Sequence, residues 1–167
     1  MQKRKQLRLK NYNYSQNGMY FVTICTYRKE CFFGKVINDE MKLNSAGKIA
    51  RKYLKDIPQY YNGVSIDEFI IMPNHIHLIV ELVDAVVTEQ CSVTTKNNKN
   101  YGLLSKIIKS YKNAITKEIN KKFGKNNFKW QRSYYDHVIR KEESLQKIKE
   151  YIMINPREWK RDELYNN

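Results

Sequence analysis

An α+β fold built on an antiparallel sheet is what this sequence predicts, and three observations carry the expectation. Short segments rich in β-branched and aromatic side chains alternate apolar with polar residues, the period of half-buried strands. Between them, longer segments repeat apolar residues at helical spacing. The two kinds succeed one another as strand, helix, strand, strand, helix, strand and a closing helix. That is the order of a ferredoxin-like or RNA-recognition-like antiparallel sheet (βαββαβ) with an extra C-terminal helix.

Each element has its own justification. Residues 1–10 carry Lys3, Arg4, Lys5, Arg8 and Lys10 with scarcely an apolar anchor, so residues 1–15 are expected to form a basic, flexible arm. YFVTICT at 20–26 is the first strand. Asn44 and Ser45 offer a cap for a helix reaching about Ile57, with Ile49, Tyr53, Leu54 and Ile57 on one face and Pro58 as its stop. Residues 64–72 form the second strand, Pro73 and Asn74 the turn, and residues 75–82 the third strand. Residues 84–100 show no periodicity and are expected to be a flexible loop. A second helix over 101–123 buries Leu104, Ile107, Ile108, Tyr111, Ile115 and Ile119. Residues 133–140 alternate as a fourth strand, with Tyr135, His137 and Ile139 on one side. Glu142 and Glu143 open the last helix, acids where the dipole prefers them, and Pro156 disfavours helical geometry at Asn155, where it ends.

Composition bounds the function. At 167 residues with 41% apolar side chains, the chain is long enough for one domain, 1–167, with a sizeable core. Lysine and arginine number 31 against 17 acids, a formal charge of +14, which suggests a polyanionic partner such as nucleic acid. No apolar run is long enough to span a bilayer and no secretory signal is evident, so the expectation is a soluble, intracellular protein with no membrane partner. Cys25, Cys31 and Cys91 are odd in number and form no C-x-x-C pair, which points to free thiols.

The chemistry gathers in two places. On the third strand Ile76, Leu78, Val80 and Leu82 form a core face, and His75, His77, Ile79 and Glu81 share the other. Two imidazoles about 6.5–7 Å apart along one strand can ligate a single metal ion, or serve as hydrogen-bonded structural residues. On the last helix Leu145, Ile148 and Ile152 make an apolar stripe, Tyr151 lies on its edge and Asn155 projects inside it one turn later. A buried amide there either caps a neighbouring backbone or offers its carbonyl oxygen to a divalent cation. The lysines of the second helix, Lys106, Lys109, Lys112, Lys117, Lys121 and Lys122, make either a solvated face or one that binds a phosphate backbone.

These motifs together resemble the IS200-like single-tyrosine transposases, and most of all the REP-associated tyrosine transposases. The resemblance rests on RLKNYNYS at 8–15 with YFVTICT at 20–26, MPNHIH at 72–77 as a His-hydrophobic-His motif, WQR at 130–132 beside YDHVIR at 135–140, and YIMINP at 151–156. It implies that His75, His77 and Asn155 hold Mg²⁺ or Mn²⁺, and that Tyr151 attacks DNA to form a 5′-phosphotyrosine link and free a 3′-hydroxyl. Asn155 stands where the insertion-sequence members carry glutamine, as in the REP-associated branch. The implied partner is single-stranded DNA at the foot of a hairpin, REP-like or a terminal palindrome, in the cytoplasm at the nucleoid. Candidate DNA contacts are Arg4, Lys5, Arg8, Lys106, Lys109, Lys112, Arg132, His137 and Arg140. A homodimer is one arrangement the resemblance allows, since insertion-sequence members share sites between two chains whereas the REP-associated branch is monomeric. The competing reading is a non-catalytic module that binds single-stranded nucleic acid on an RNA-recognition-like sheet, its tyrosines stacking on bases.

Overall fold

A computed structural model describes residues 12–87, 102–124 and 127–165. Strand β1 (Gly18–Cys25) is followed by a 3-10 turn at Tyr27–Lys29, a hairpin of β2 (Gly34–Ile37) and β3 (Glu40–Leu43), and helix α1 (Ser45–Tyr60). Next come β4 (Tyr61–Ile71), β5 (His75–Val87), α2 (Leu103–Phe123), β6 (Tyr135–Ile139), α3 (Glu142–Ile154) and a 3-10 turn at Trp159–Arg161. The main sheet runs β4-β5-β1-β6 with every neighbouring pair antiparallel. With the hairpin set aside, this is the expected α+β order, and α1 and α2 cover one face of the sheet.

Burial explains the assembly. On the covered face Tyr20, Val22 and Ile24 of β1 and Ile76, Leu78, Val80 and Leu82 of β5 are buried against Ala50, Leu54 and Ile57 of α1 and the expected stripe of α2. The opposite face is also closed over part of its area, where Leu145 and Ile152 of α3 pack on Ile79 and Ile139, with Met19, Phe21, Ile70 and Ile148 around them. Asn44 caps α1 by accepting from the Gly47 N–H at 2.9 Å.

Several expectations need correction. The β2–β3 hairpin was not foreseen; its turn residues Asn38 and Asp39 both adopt positive φ, 51° and 60°, as a tight two-residue hairpin requires. Helix α1 continues through Pro58 to Tyr60, giving up in its last turn the one ladder bond that the missing N–H would make. β5 extends to Val87, into the stretch expected to be a loop, by pairing Asn62 with Val86 and Tyr61 with Val87; residues 88–100 lie outside the described residues. Residues 12–15 are not a loose arm. Tyr14 is buried in the core, and its carbonyl and the Ser15 hydroxyl accept from the Leu104 and Leu103 N–H groups that open α2. Gly102 makes this possible, because a Cβ there would stand 2.7 Å from that of Tyr14. Arg4, Lys5 and Arg8 lie outside the described residues.

Cys25 is a buried free thiol, and Cys91 lies outside the described residues. Among the described residues no helix is long and apolar enough to cross a membrane.

Candidate active site

The tight turn between β4 and β5 orients the histidine pair. Met72 donates its N–H to the His75 carbonyl at 2.8 Å, and the Asn74 carbonyl accepts from the Thr26 N–H and hydroxyl, each at 2.9 Å. Buried Asn74 donates its amide to the carbonyls of Lys29 at 3.0 Å and Leu164 at 2.7 Å. Its Oδ1 is thereby the acceptor, 2.8 Å from His75 Nδ1, so His75 carries its proton on Nδ1 and leaves Nε2 a bare lone pair. That Nε2 is buried and has no hydrogen-bond partner among the described residues. His77 is held in the same manner, with Nδ1 2.8 Å from the Thr23 hydroxyl of the neighbouring strand. Both rings are almost wholly buried, although they lie on the face away from the main core.

Helix α3 crosses this face and brings Tyr151 to the pair. Its hydroxyl lies 3.3 Å from His77 Nε2, within one chain. Phe21 braces the contact, its ring stacked on His77 at 5.3 Å and edge-on to Tyr151 at 6.2 Å. One turn on, Asn155 is buried and donates its amide to Asp162 Oδ2 at 2.9 Å, so its Oδ1 faces the other way, buried and without a partner among the described residues. The structure thus brings His75, His77, Tyr151 and Asn155 into one place.

It adds a fifth group that the sequence reading missed. Asp162 follows the last 3-10 turn, and one ligand atom each from His75, His77 and Asp162 lie within 4.8 Å of one another. Its Oδ2 is 3.9 Å from His75 Nε2, while its Oδ1 accepts from the Leu164 N–H at 2.6 Å. Nothing in the segment WKRDELY at 159–165 has the period of an element, and an acid flanked by charged residues looks like solvated chain.

The orphaned His75 Nε2, a second imidazole and a carboxylate, with one ligand atom each within 4.8 Å of one another, fit a divalent cation, and the orphaned Asn155 Oδ1 is a further acceptor beside them. Carboxylate and amide oxygens suit hard ions, and each imidazole is already aligned by a hydrogen bond on its other nitrogen. Electrostatics agree. Burial presses both imidazoles down to about 3, and His75 presses further on His77, so both stay neutral and able to donate a lone pair at physiological pH. Burial, then the Asp162 carboxylate, raises the Tyr151 phenol to about 12, so it is protonated unless something at the site takes up the charge.

The other expected contacts scatter. Lys106 and Lys109 stand exposed on α2, and Arg132, His137 and Arg140 stand exposed on or beside β6. Lys112 turns inward and gives its ammonium to the Gln131 carbonyl at 2.7 Å, with those of Arg132 and Ser133 at 3.4 Å. It locks α2 to the approach to β6, and burial lowers it to about 8, so it does not belong with the exposed lysines.

Over 168 residues the chain is 40% identical to an uncharacterised protein of Haemophilus influenzae, covering 97% of this chain and 93% of that one. A protein of the same organism, provisionally named a REP-associated tyrosine transposase, is 26% identical over 152 residues, 86% of this chain and 73% of that one. A solved REP-associated tyrosine transposase bound to a REP hairpin has the same fold, with TM-score 0.54 at 18% identity over 95% of this chain and 74% of the other. So does a crystal structure of a candidate transposase from Deinococcus radiodurans, with TM-score 0.50 at 16% identity over 87% and 96%. The family model for IS200-like transposases matches residues 13–155, and the chain belongs to that family.

Proposed function

We propose that this protein cuts and rejoins single-stranded DNA at hairpin-associated sites through a covalent bond to Tyr151. The observation that carries the reading is the phenol 3.3 Å from His77 Nε2, beside a set of buried lone pairs in the same chain. The Tyr151 oxygen attacks the scissile phosphorus, the bond from phosphorus to the 3′ oxygen breaks, and the phenolic proton is lost while the departing oxygen takes one up as a 3′-hydroxyl. Attack by a 3′-hydroxyl on the phosphotyrosine runs the same exchange backwards and transfers the strand. Tyr151 is half-exposed, 41% accessible, with Phe21 edge-on to its ring.

His75, His77, Asp162 and Asn155 Oδ1 would hold Mg²⁺ or Mn²⁺, which would supply positive charge for the phosphoryl oxygens and for a phenol otherwise protonated to about 12. Asn74 and Thr23 keep the imidazole lone pairs aimed, and Asn155 Nδ2 keeps the carboxylate turned inward. The +14 charge and the exposed Lys106, Lys109, Arg132 and Arg140 support a polyanionic substrate. A structural neighbour captured with a REP hairpin supports a hairpin-bearing one.

The test incubates protein and Mn²⁺ with a hairpin-bearing single strand and resolves products on a denaturing gel. A protein–DNA adduct is expected, absent in Tyr151→Phe although binding persists. Asp162→Asn should require on the order of tenfold more Mn²⁺ for half-maximal adduct. An adduct that survives Tyr151→Phe would move the nucleophile elsewhere, and no adduct with any divalent ion would leave only the binding module.

A further inference from the structure

The sheet face that carries the histidines is only half covered, and its open half is aromatic. Cross-strand register fixes which side chains share that face. Thr23 of β1 pairs with His77 on one side and Tyr135 on the other, and Phe21 pairs with Ile79 and His137. Directly opposed residues point the same way, so His77, Thr23 and Tyr135 form one row across three strands, and Ile79, Phe21 and His137 form the next. The third row, ending in Ile139, lies under α3 with Leu145 and Ile152. The first two rows end in the open: Tyr135 is 43% accessible and His137 is exposed.

We infer that Tyr135, with His137 beside it, is a base-stacking platform for the nucleotides next to the phosphate engaged at Tyr151. The inference rests on the single-strand reading above and gives it a substrate subsite. Two strand intervals put the backbone of Tyr135 roughly 10 Å from that of His77, close enough for a base neighbouring the reacting phosphate to reach the ring. The phenol of Tyr151 already sits over the His77 end of that row. Exposed Arg132 and Arg140 bracket the strand at its two ends, where they can meet phosphates on either side of a stacked base. A bare tyrosine on an edge strand offers a π face to any base, which suits a contact that tolerates sequence. The buried side of β6 shows the contrast: Val138 and Tyr134 are packed in the main core.

The test measures binding rather than cleavage, in EDTA, by fluorescence anisotropy. The probes are a labelled thymidine oligonucleotide and one of equal length carrying abasic sites. The wild-type protein is expected to prefer the thymidine strand by roughly tenfold or more. Tyr135→Ala should erase most of that preference while binding the abasic strand as before, and Tyr135→Trp should keep it. Tyr135→Leu repeats the test with side-chain bulk retained in case the alanine variant folds poorly. Full preference in the alanine and leucine variants, or equal loss of affinity for both strands, would overturn the platform. A wild-type protein that forms the Tyr151 adduct without preferring bases to abasic sites would also overturn it and leave the cleavage reading intact. Base preference lost in Tyr135→Ala, in a protein that forms no adduct, would support the platform and sink cleavage.

Discussion

His75 and His77 are buried as neutral imidazoles, and that has a thermodynamic consequence which can be measured without DNA. In the unfolded chain a histidine protonates near about 6.5, whereas burial holds both of these near about 3. Between those values the unfolded state binds more protons than the folded one. Their contribution is therefore complete above about pH 6.5 and is lost progressively as pH falls toward about 3. For protein stripped of metal, the urea midpoint should drop between pH 7 and 5.5, and a His75→Gln, His77→Gln double variant should lose most of that slope. An unchanged slope would mean that the rings are not sealed from water. At this scale the sequence was legible where residues share an element. The strand period put both imidazoles on one face, and the helix period put Asn155 one turn from Tyr151. It was silent on Asp162, which reaches the site by a chain reversal after α3, and on Asn74, which reads as a turn residue although its amide joins Lys29, His75 and Leu164.

Among the elements, α2 divides its lysines between two tasks that sequence cannot separate. Lys106, Lys109 and Lys112 all fall outside the apolar stripe, yet only the last meets a cluster of carbonyls from a segment nineteen to twenty-one residues further along the chain. Lys112→Met should cost about 1–3 kcal/mol of stability, because it removes a charged donor from a cluster of partly buried carbonyls, and leave the salt dependence of DNA binding unaltered. Lys106→Gln with Lys109→Gln should do the reverse, flattening the slope by about 0.7 for each phosphate no longer neutralised while the unfolding midpoint holds. Parallel salt-titration and urea curves would separate them, and a salt slope untouched by the second pair would make α2 a bystander. Helices and long strands were legible because their periods run for many residues. The β2–β3 hairpin was not, since four-residue strands offer too few alternations and its turn lacks the glycine that usually betrays such a bend.

For the whole molecule, the sheet has one face sealed by two helices and another left half open beside the histidines. All parts of the candidate site come from one copy of the chain, with Tyr151 already against His77. An equimolar mixture of Tyr151→Phe and His77→Ala proteins should therefore yield no more adduct than either alone. Restored activity would mean that copies exchange α3. The fold order followed from the sequence because each long strand and helix carries its own period, but whether phenol and imidazole meet within one chain depends on the path after β6, which no local pattern encodes. If Tyr151 is the single nucleophile of each copy, as proposed, every severed strand would stay tethered to its own molecule until a free end came back to claim it. A protein working in that way would be consumed and regenerated one break at a time, so the number of nicks open at any moment could not exceed the number of copies present.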